Sequence, residues 1–142
     1  DSAYGMEAAL MEAAKGKPVA QLEGADAQLR LFDSLPEADQ QDLLSAIVAE
    51  ASAAQDGERL GKAWSKGDMA ALEAETRTGL LADPQPRAAL LVSRNRAWTE
   101  KVAAMLARGA HPLVAVGAAH MAGADGLPAR LAARGYTVTR LQ

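Results

Sequence analysis

Most of the chain carries apolar residues at the three- and four-residue spacing of amphipathic helices. This spacing predicts helices over residues 5–15 and about 25–33. A third helix is predicted to open at the capping-box pattern Ser34-Leu-Pro-Glu37, and a further one at Asp68, a side chain suited to cap a helix N-terminus. Residues 35–86 are therefore predicted to form a helical subdomain.

A long helix is predicted over residues 87–108, after a break at Asp83-Pro-Gln-Pro86. Its apolar face contains a polar residue, Asn95, three positions before Trp98. Arg94 borders the same face by its four-residue spacing to Trp98. A buried amide without partners costs about 1 to 3 kcal/mol. We therefore expect Asn95 to have a specific role.

Three short segments have the sequence of strands rather than helices. They span residues 18–23, 112–116 and 136–141. A glycine-rich loop (117–126) and a helix (127–134) join the last two segments, which is the order of a β-loop-α-β unit with parallel strands. The predicted fold class is α/β and helix-rich, with a few-stranded, largely parallel sheet flanked by helices and the helical subdomain in the middle.

Composition narrows the classes of protein that this chain can represent. The 142 residues fit one domain, 49% are hydrophobic and 4% are aromatic, so the core is expected to consist of Ala, Leu, Val and Met. The absence of cysteine excludes disulfides, thiolate zinc sites and a cysteine nucleophile. No apolar run reaches the roughly 18 residues of a membrane span.

Charge is divided unevenly along the chain. Residues 1–86 hold 7 basic and 16 acidic side chains (−9), whereas residues 87–142 hold 8 basic and 2 acidic ones (+6). Few aromatic side chains accompany the basic ones, so base stacking has little support and nucleic-acid binding is not expected. The division is more typical of two solvated faces.

Two polar residues fall where predicted parallel strands end, the place where such sheets bind ligands. Glu23 is the last residue of the first predicted strand. His120 is the fourth residue of the loop that begins at Gly117. A histidine and a carboxylate at one sheet edge suit a metal site, or a base with the group that orients it. One alternative for His120 is a solvated or hydrogen-bonded structural histidine. The glycine-rich loop could instead be a dinucleotide- or phosphate-binding turn, although it lacks the glycine spacing of the first and the Gly-Lys-Ser/Thr of the second. Arg94 is equally well explained as a surface cation, and His111 as a solvated side chain.

Several of these motifs occur together in an order that resembles one family. They are Gly16-Lys-Pro-Val-Ala-Gln-Leu-Glu23, Arg94-Asn-Arg-Ala-Trp98, Val114-Ala-Val-Gly-Ala-Ala-His-Met-Ala-Gly123 and Gly135-Tyr136. With this order and spacing the chain resembles the TraB/GumN family, which includes the Tiki proteases. The resemblance implies a divalent-metal-dependent, peptidase-like hydrolase built around two Gly-x-x-His motifs.

The resemblance also implies roles for individual residues. Gly117-Ala-Ala-His120 matches the second Gly-x-x-His motif, with Gly117 at a cofactor-binding position. Glu23 matches the family's acidic residue, and Arg94-Asn95 its helix pair. His120 and Glu23 would hold manganese, cobalt or zinc and activate its water. Arg94 would stabilise oxyanion charge and Asn95 would orient a ligand.

The first Gly-x-x-His motif of the family has no match in this chain. Residues 1–142 are therefore expected to be the C-terminal half of the domain, a partial domain with about half a site, binding metal weakly or not at all and turning over little alone. Its expected partners are the missing N-terminal half or a second copy, and a peptide or protein substrate. A bacterial envelope or extracellular location is favoured. The alternative function is a non-catalytic peptide- or glycan-binding envelope module.

Overall fold

A computed structural model describes residues 6–50 and 54–141, and most of these residues are helical. The α-helices are α1 (Met6–Ala13), α2 (Ala25–Asp33), α3 (Glu37–Glu50), α4 (Ala54–Ser65), α5 (Met69–Glu75), α6 (Pro84–Arg87), α7 (Ser93–Ala107) and α8 (Leu127–Ala132). Two 3-10 turns, Gly79–Ala82 and Ala118–Met121, and one π-helical turn, Ala88–Val92, complete the regular structure of this part of the chain. The first residue of the first predicted helix, Gly5, lies outside the described residues.

Local sequence signals for helix ends are confirmed at several positions. Asp68 caps α5, since its Oδ1 accepts a hydrogen bond of 3.0 Å from the backbone N–H of Ala71. Gly16 and Gly109 follow α1 and α7 with φ of 78° and 75°, the left-handed conformation that glycine adopts at little cost. Other helix ends differ: Gly24 and Gly126 make no side-chain cap before α2 and α8, and the Ser34 hydroxyl of the predicted capping box donates to the Leu31 carbonyl instead.

The predicted break is confirmed at Asp83, whose extended backbone separates the 3-10 turn Gly79–Ala82 from the next helix, but residues 84–86 already belong to that helix. The side chain of Asp83 accepts a 2.8 Å hydrogen bond from the N–H of Gln85, and Pro84 occupies the first turn, where no backbone donor is needed. The backbone stays helical from Pro84 through the π turn and to the end of α7 at Ala107. Asp83 and Pro84 together thus mark the N-terminus of a helix.

The prediction of a parallel sheet is wrong for the residues that the structure describes. Segments 18–23, 112–116 and 136–141 contain no strand, and no backbone hydrogen bond joins one of them to another. Leu113 in the second segment is 84% exposed. An apolar run forms a strand only where a second strand supplies the ladder. No such pairing occurs within the described chain, and the fold there is all-helical.

Two groups of buried apolar residues hold the later part of the chain in place. Ala63 of α4, Leu72 of α5 and Ala122 form a small buried cluster, against which Ala118 also packs. The second region lies along the long helix, where α7 contacts α8. Its buried apolar residues are Leu91, Trp98, Val102, Ala103 and Leu127. None of the described helices is long and apolar enough to cross a bilayer.

Candidate functional site

The residues singled out in the sequence lie together, although they come from three separate segments. Glu23 precedes α2, Arg94 and Asn95 lie in the first turn of α7, and His120 lies on the 3-10 turn Ala118–Met121. Hydrogen bonds link Glu23 to Arg94 and Asn95 to His120. The four predicted side chains therefore form one cluster without the sheet that was expected to assemble them.

Asn95 fixes the protonation of the His120 ring. Its Nδ2 donates a 2.8 Å hydrogen bond to the carbonyl oxygen of Asp125, which can only accept. The other amide atom, Oδ1, therefore faces His120 Nδ1 at 2.6 Å, and the ring nitrogen must be the donor. The proton of the neutral imidazole thus lies on Nδ1, and the Nε2 lone pair remains available.

The surroundings of His120 keep the ring uncharged. The pKa of His120 is lowered to about 4, mainly by burial and further by the positive charge of Arg94, while the negative charge of Glu23 partly opposes these two effects. The ring also lies against the indole of Trp98, with 4.5 Å between ring centroids and a 43° angle between planes. At neutral pH His120 is therefore a hydrogen-bond acceptor at Nε2.

Glu23 and Arg94 form an ion pair that is mostly shielded from solvent. Arg94 Nε donates to Glu23 Oε2 at 2.7 Å, and Nη1 donates to the carbonyl of Leu90 in the π turn at 3.2 Å. The guanidinium also lies over the Trp98 ring, 4.7 Å from its centroid. These contacts leave Arg94 Nη2 without a hydrogen-bond partner among the described residues.

Other residues hold this cluster in place and were not predicted from the sequence. The Asp125 carboxylate accepts hydrogen bonds from Arg87 at 3.0 Å and Arg130 at 3.1 Å, and its carbonyl also accepts from Arg130 at 2.9 Å. Lys101 Nζ donates to the carbonyl of Leu22, next to Glu23, at 2.6 Å. Asp125 is the only acidic residue after position 100, which was the available signal for it.

Trp98 was assigned to the apolar core, and the structure gives it a second set of contacts. Its four-residue spacing from Arg94 places both side chains on one helix face, and its ring contacts Arg94 and His120.

The backbone at Gly117 does not need a glycine. Its φ of −58° and ψ of 147° are open to any residue, so the turn does not require glycine there. The cofactor role of Gly117 stays a prediction.

The donor set does not by itself fit a catalytic metal ion. Within residues 6–50 and 54–141 no three His, Cys, Asp or Glu side chains come close enough to hold one. His120 suits a ligand, since Asn95 orients the ring and leaves Nε2 available. Glu23 is already neutralised by Arg94, whose charge also disfavours a cation nearby. Catalytic metals generally have three protein ligands, so further donors would be required.

A model of the TraB/PrgY/gumN family matches residues 1–140, essentially the whole chain, and the chain belongs to this family. No curated protein and no solved structure matches it. The match leaves open whether these residues form the C-terminal half of a domain, which stays a prediction.

Proposed function

We propose that the chain carries part of a peptidase-like hydrolytic site, in which His120 Nε2 activates water and Arg94 stabilises the oxyanion. The observation that carries the proposal is the Asn95–His120 hydrogen bond of 2.6 Å, which fixes the tautomer with its lone pair on Nε2. A general base must accept a proton at a defined atom. Membership of the TraB/PrgY/gumN family supports the same proposal.

The reaction that we propose for these residues is the hydrolysis of an amide bond, in which the acyl group is transferred to water. Water adds to the amide carbonyl carbon while His120 Nε2 takes one of its protons, and the carbonyl π electrons move to oxygen. When the tetrahedral intermediate collapses, the C–N bond breaks and Nε2 returns the proton to the leaving amine. Glu23 stabilises the transient imidazolium, since its charge favours protonation of the ring.

Arg94 is suited to the developing negative charge on the carbonyl oxygen. Its Nε and Nη1 are held by Glu23 and the Leu90 carbonyl, so the guanidinium is oriented before a substrate binds. Nη2 is then the group that donates to the oxyanion. Loss of one such donor typically lowers turnover roughly 100- to 1,000-fold.

The proposal includes a divalent cation, which would be manganese, cobalt or zinc. Such a cation would need ligands from beyond the described residues as well. In that case His120 Nε2 would ligate the cation instead of acting as the base, because its one lone pair can serve only one of these roles. Glu23 would be a second ligand if it leaves Arg94. A complementary polypeptide, either a further part of the domain or a second copy, is the proposed source of the other donors. When bound, the cation would supply a water of lowered pKa.

A second candidate function is the binding of a peptide or glycan without catalysis. It is favoured by the low pKa of His120, which makes the ring a weak base, and by the closed Glu23–Arg94 ion pair. In that case Arg94 Nη2 and His120 Nε2 would serve as one donor and one acceptor for a ligand. For either function we propose an envelope or extracellular setting.

Turnover of quenched fluorogenic peptides separates the two functions. The complete gene product that contains residues 1–142 would be assayed after chelation and after return of manganese, cobalt or zinc. We expect His120→Ala to lower kcat/KM at least about 100-fold. His111→Ala is the matched control, because His111 is the chain's other histidine and is exposed.

Equal turnover in both histidine variants would overturn the assignment of His120. A folded wild-type protein that cleaves no peptide under any of these conditions would favour the binding function. Activity that returns only with metal would show that ligands outside the described residues complete the site.

A further inference from the structure

A cavity of about 330 Å³ lies beside the candidate site, between α4, α5 and the turn that carries His120. Pockets for small ligands typically enclose roughly 300 to 1,000 Å³. Its apolar lining comprises Leu60, Trp64, Leu72, Leu81, Ala118 and Ala119. Trp64 is 60% exposed although it is a large aromatic side chain, so the cavity is reached from solvent.

The two polar side chains that line the cavity already have partners. Glu75 is ion-paired with Arg59 at 2.8 Å, and this arginine lowers the pKa of the Glu75 carboxyl. Thr76 is buried, and its hydroxyl donates to the carbonyl of Glu73 at 2.7 Å. A polar or charged ligand group would lose its hydration without gaining a partner. The lining therefore selects for an uncharged apolar group.

The cavity and the proposed base share one short turn. Ala118 and Ala119 line the cavity, and His120 is the next residue of the same 3-10 turn, closed by a 2.9 Å hydrogen bond from the His120 N–H to the Gly117 carbonyl. Consecutive Cα atoms are about 3.8 Å apart. The wall of the cavity at Ala119 is therefore adjacent in the chain to His120.

From this geometry we infer that the cavity is a specificity subsite for a large uncharged apolar residue, such as Leu or Phe, of a peptide bound at His120. The inference rests on the proposed function for the peptide nature of the ligand. It adds which side chain the peptide must carry. Burial of a Leu or Phe side chain corresponds to roughly 10- to 100-fold in affinity.

Two glycines of α4 provide a test and its matched control. Gly61 lines the cavity, whereas Gly57, one turn earlier on the same helix, does not. A Cβ built on either glycine meets no atom within 4 Å. Gly61→Leu should therefore fill the cavity without a clash, and Gly57→Leu should add the same side chain outside it. Both substitutions raise helix propensity, so neither is expected to unfold the protein.

The probes are acetylated, amidated pentaalanine peptides whose central residue is Phe, Leu, Ala or Asp. Binding would be followed through the backbone amide NMR signals of Ala118 and Ala119, a readout that needs no turnover. We expect the Phe and Leu peptides to bind at least about 10-fold more tightly than the Ala and Asp peptides. Gly61→Leu should abolish this preference, and Gly57→Leu should retain it.

Binding without preference among the four peptides, or a preference that survives Gly61→Leu, would overturn the subsite. The result is independent of catalysis. Apolar preference that Gly61→Leu removes, together with no cleavage of any peptide, would retain the subsite and reject the hydrolase. Cleavage that is indifferent to both the central residue and Gly61→Leu would retain the hydrolase and reject the subsite.

Discussion

Asn95 Oδ1 lies 2.6 Å from His120 Nδ1, although 25 positions separate the two residues in the chain. Asn95 is fully buried, and its amide group also bonds to the Asp125 carbonyl. One amide therefore joins the long helix to both ends of the glycine-rich loop. Because the Asp125 carbonyl can only accept, this contact and the His120 tautomer are determined together.

Asn95→Ala should destabilise the protein and release the His120 ring. The substitution leaves the His120 Nδ1–H without its partner and removes one of the two hydrogen bonds that the Asp125 carbonyl accepts, while the bond from Arg130 remains. The cost is about 1 to 3 kcal/mol in the free energy of unfolding. Urea denaturation measures this cost, and two-bond ¹H–¹⁵N correlations of the histidine ring report the tautomer. Exposed Arg96, the next residue of α7, provides the control: Arg96→Ala should change stability by no more than about 0.5 kcal/mol. Unchanged stability and an unchanged tautomer in Asn95→Ala would contradict the role given to this amide.

The low pKa of His120 makes stability depend on pH in a defined direction. In the folded chain the pKa of His120 is lowered from its ordinary value of 6.5 to about 4. Between these two values the unfolded chain binds more protons at this site, so stability rises with pH. The contribution is complete above about pH 6.5 and is lost as the pH falls toward 4.

Urea denaturation at a series of pH values tests this dependence. His120→Gln should flatten the slope between pH 4 and 6.5, because the titrating group is removed. His111→Gln should leave the slope unchanged. A wild-type slope that persists in full in His120→Gln would assign the pH dependence to other groups.

Removal of the two charges near His120 should shift its pKa in opposite directions. The Arg94 guanidinium lowers the pKa of His120 and the Glu23 carboxylate raises it. Arg94→Met is therefore expected to raise the pKa, and Glu23→Gln to lower it. NMR titration of the imidazole C–H signals measures both shifts. Arg96→Met removes a charge from the same helix and should cause no comparable shift; equal shifts in all three variants would contradict the local origin of the effect.

The cluster was predictable from the sequence because its signals were local. Asn95 on an apolar helix face and Arg94 at its border follow from helical periodicity alone. Glu23 and the motif Gly117-x-x-His120 were singled out because they follow apolar segments that were predicted to be parallel strands. That premise is wrong for the described residues, and Glu23 and His120 nevertheless lie in one cluster. What brings these residues together is the set of hydrogen bonds described above.

Three features of the structure could not be predicted from local sequence patterns of this kind. An apolar run such as residues 112–116 has the composition of a buried strand, but pairing depends on a partner that no local pattern specifies. The ion pairs of Asp125 join residues 38 positions apart in one case, Arg87, and are likewise invisible to local spacing. The cavity beside His120 arises from the packing of α4 and α5 against the turn, which periodicity does not define.

The unpaired apolar segments lead to a final prediction, that the chain associates with a second copy at sufficient concentration. Leu113 is 84% exposed in a segment with strand composition and without strand pairing among the described residues. Backbone of this kind readily pairs with another chain. Light scattering should therefore show a mass that rises with concentration in wild-type protein and stays at the monomer value in Leu113→Lys. Leu29→Lys is the control, because Leu29 is 66% exposed but lies within α2, whose backbone is already hydrogen-bonded. The control should behave as wild type, since a helix offers no backbone donors to a partner strand. A wild-type chain that remains monomeric at every concentration would instead mean that these segments pair with a different polypeptide or with none.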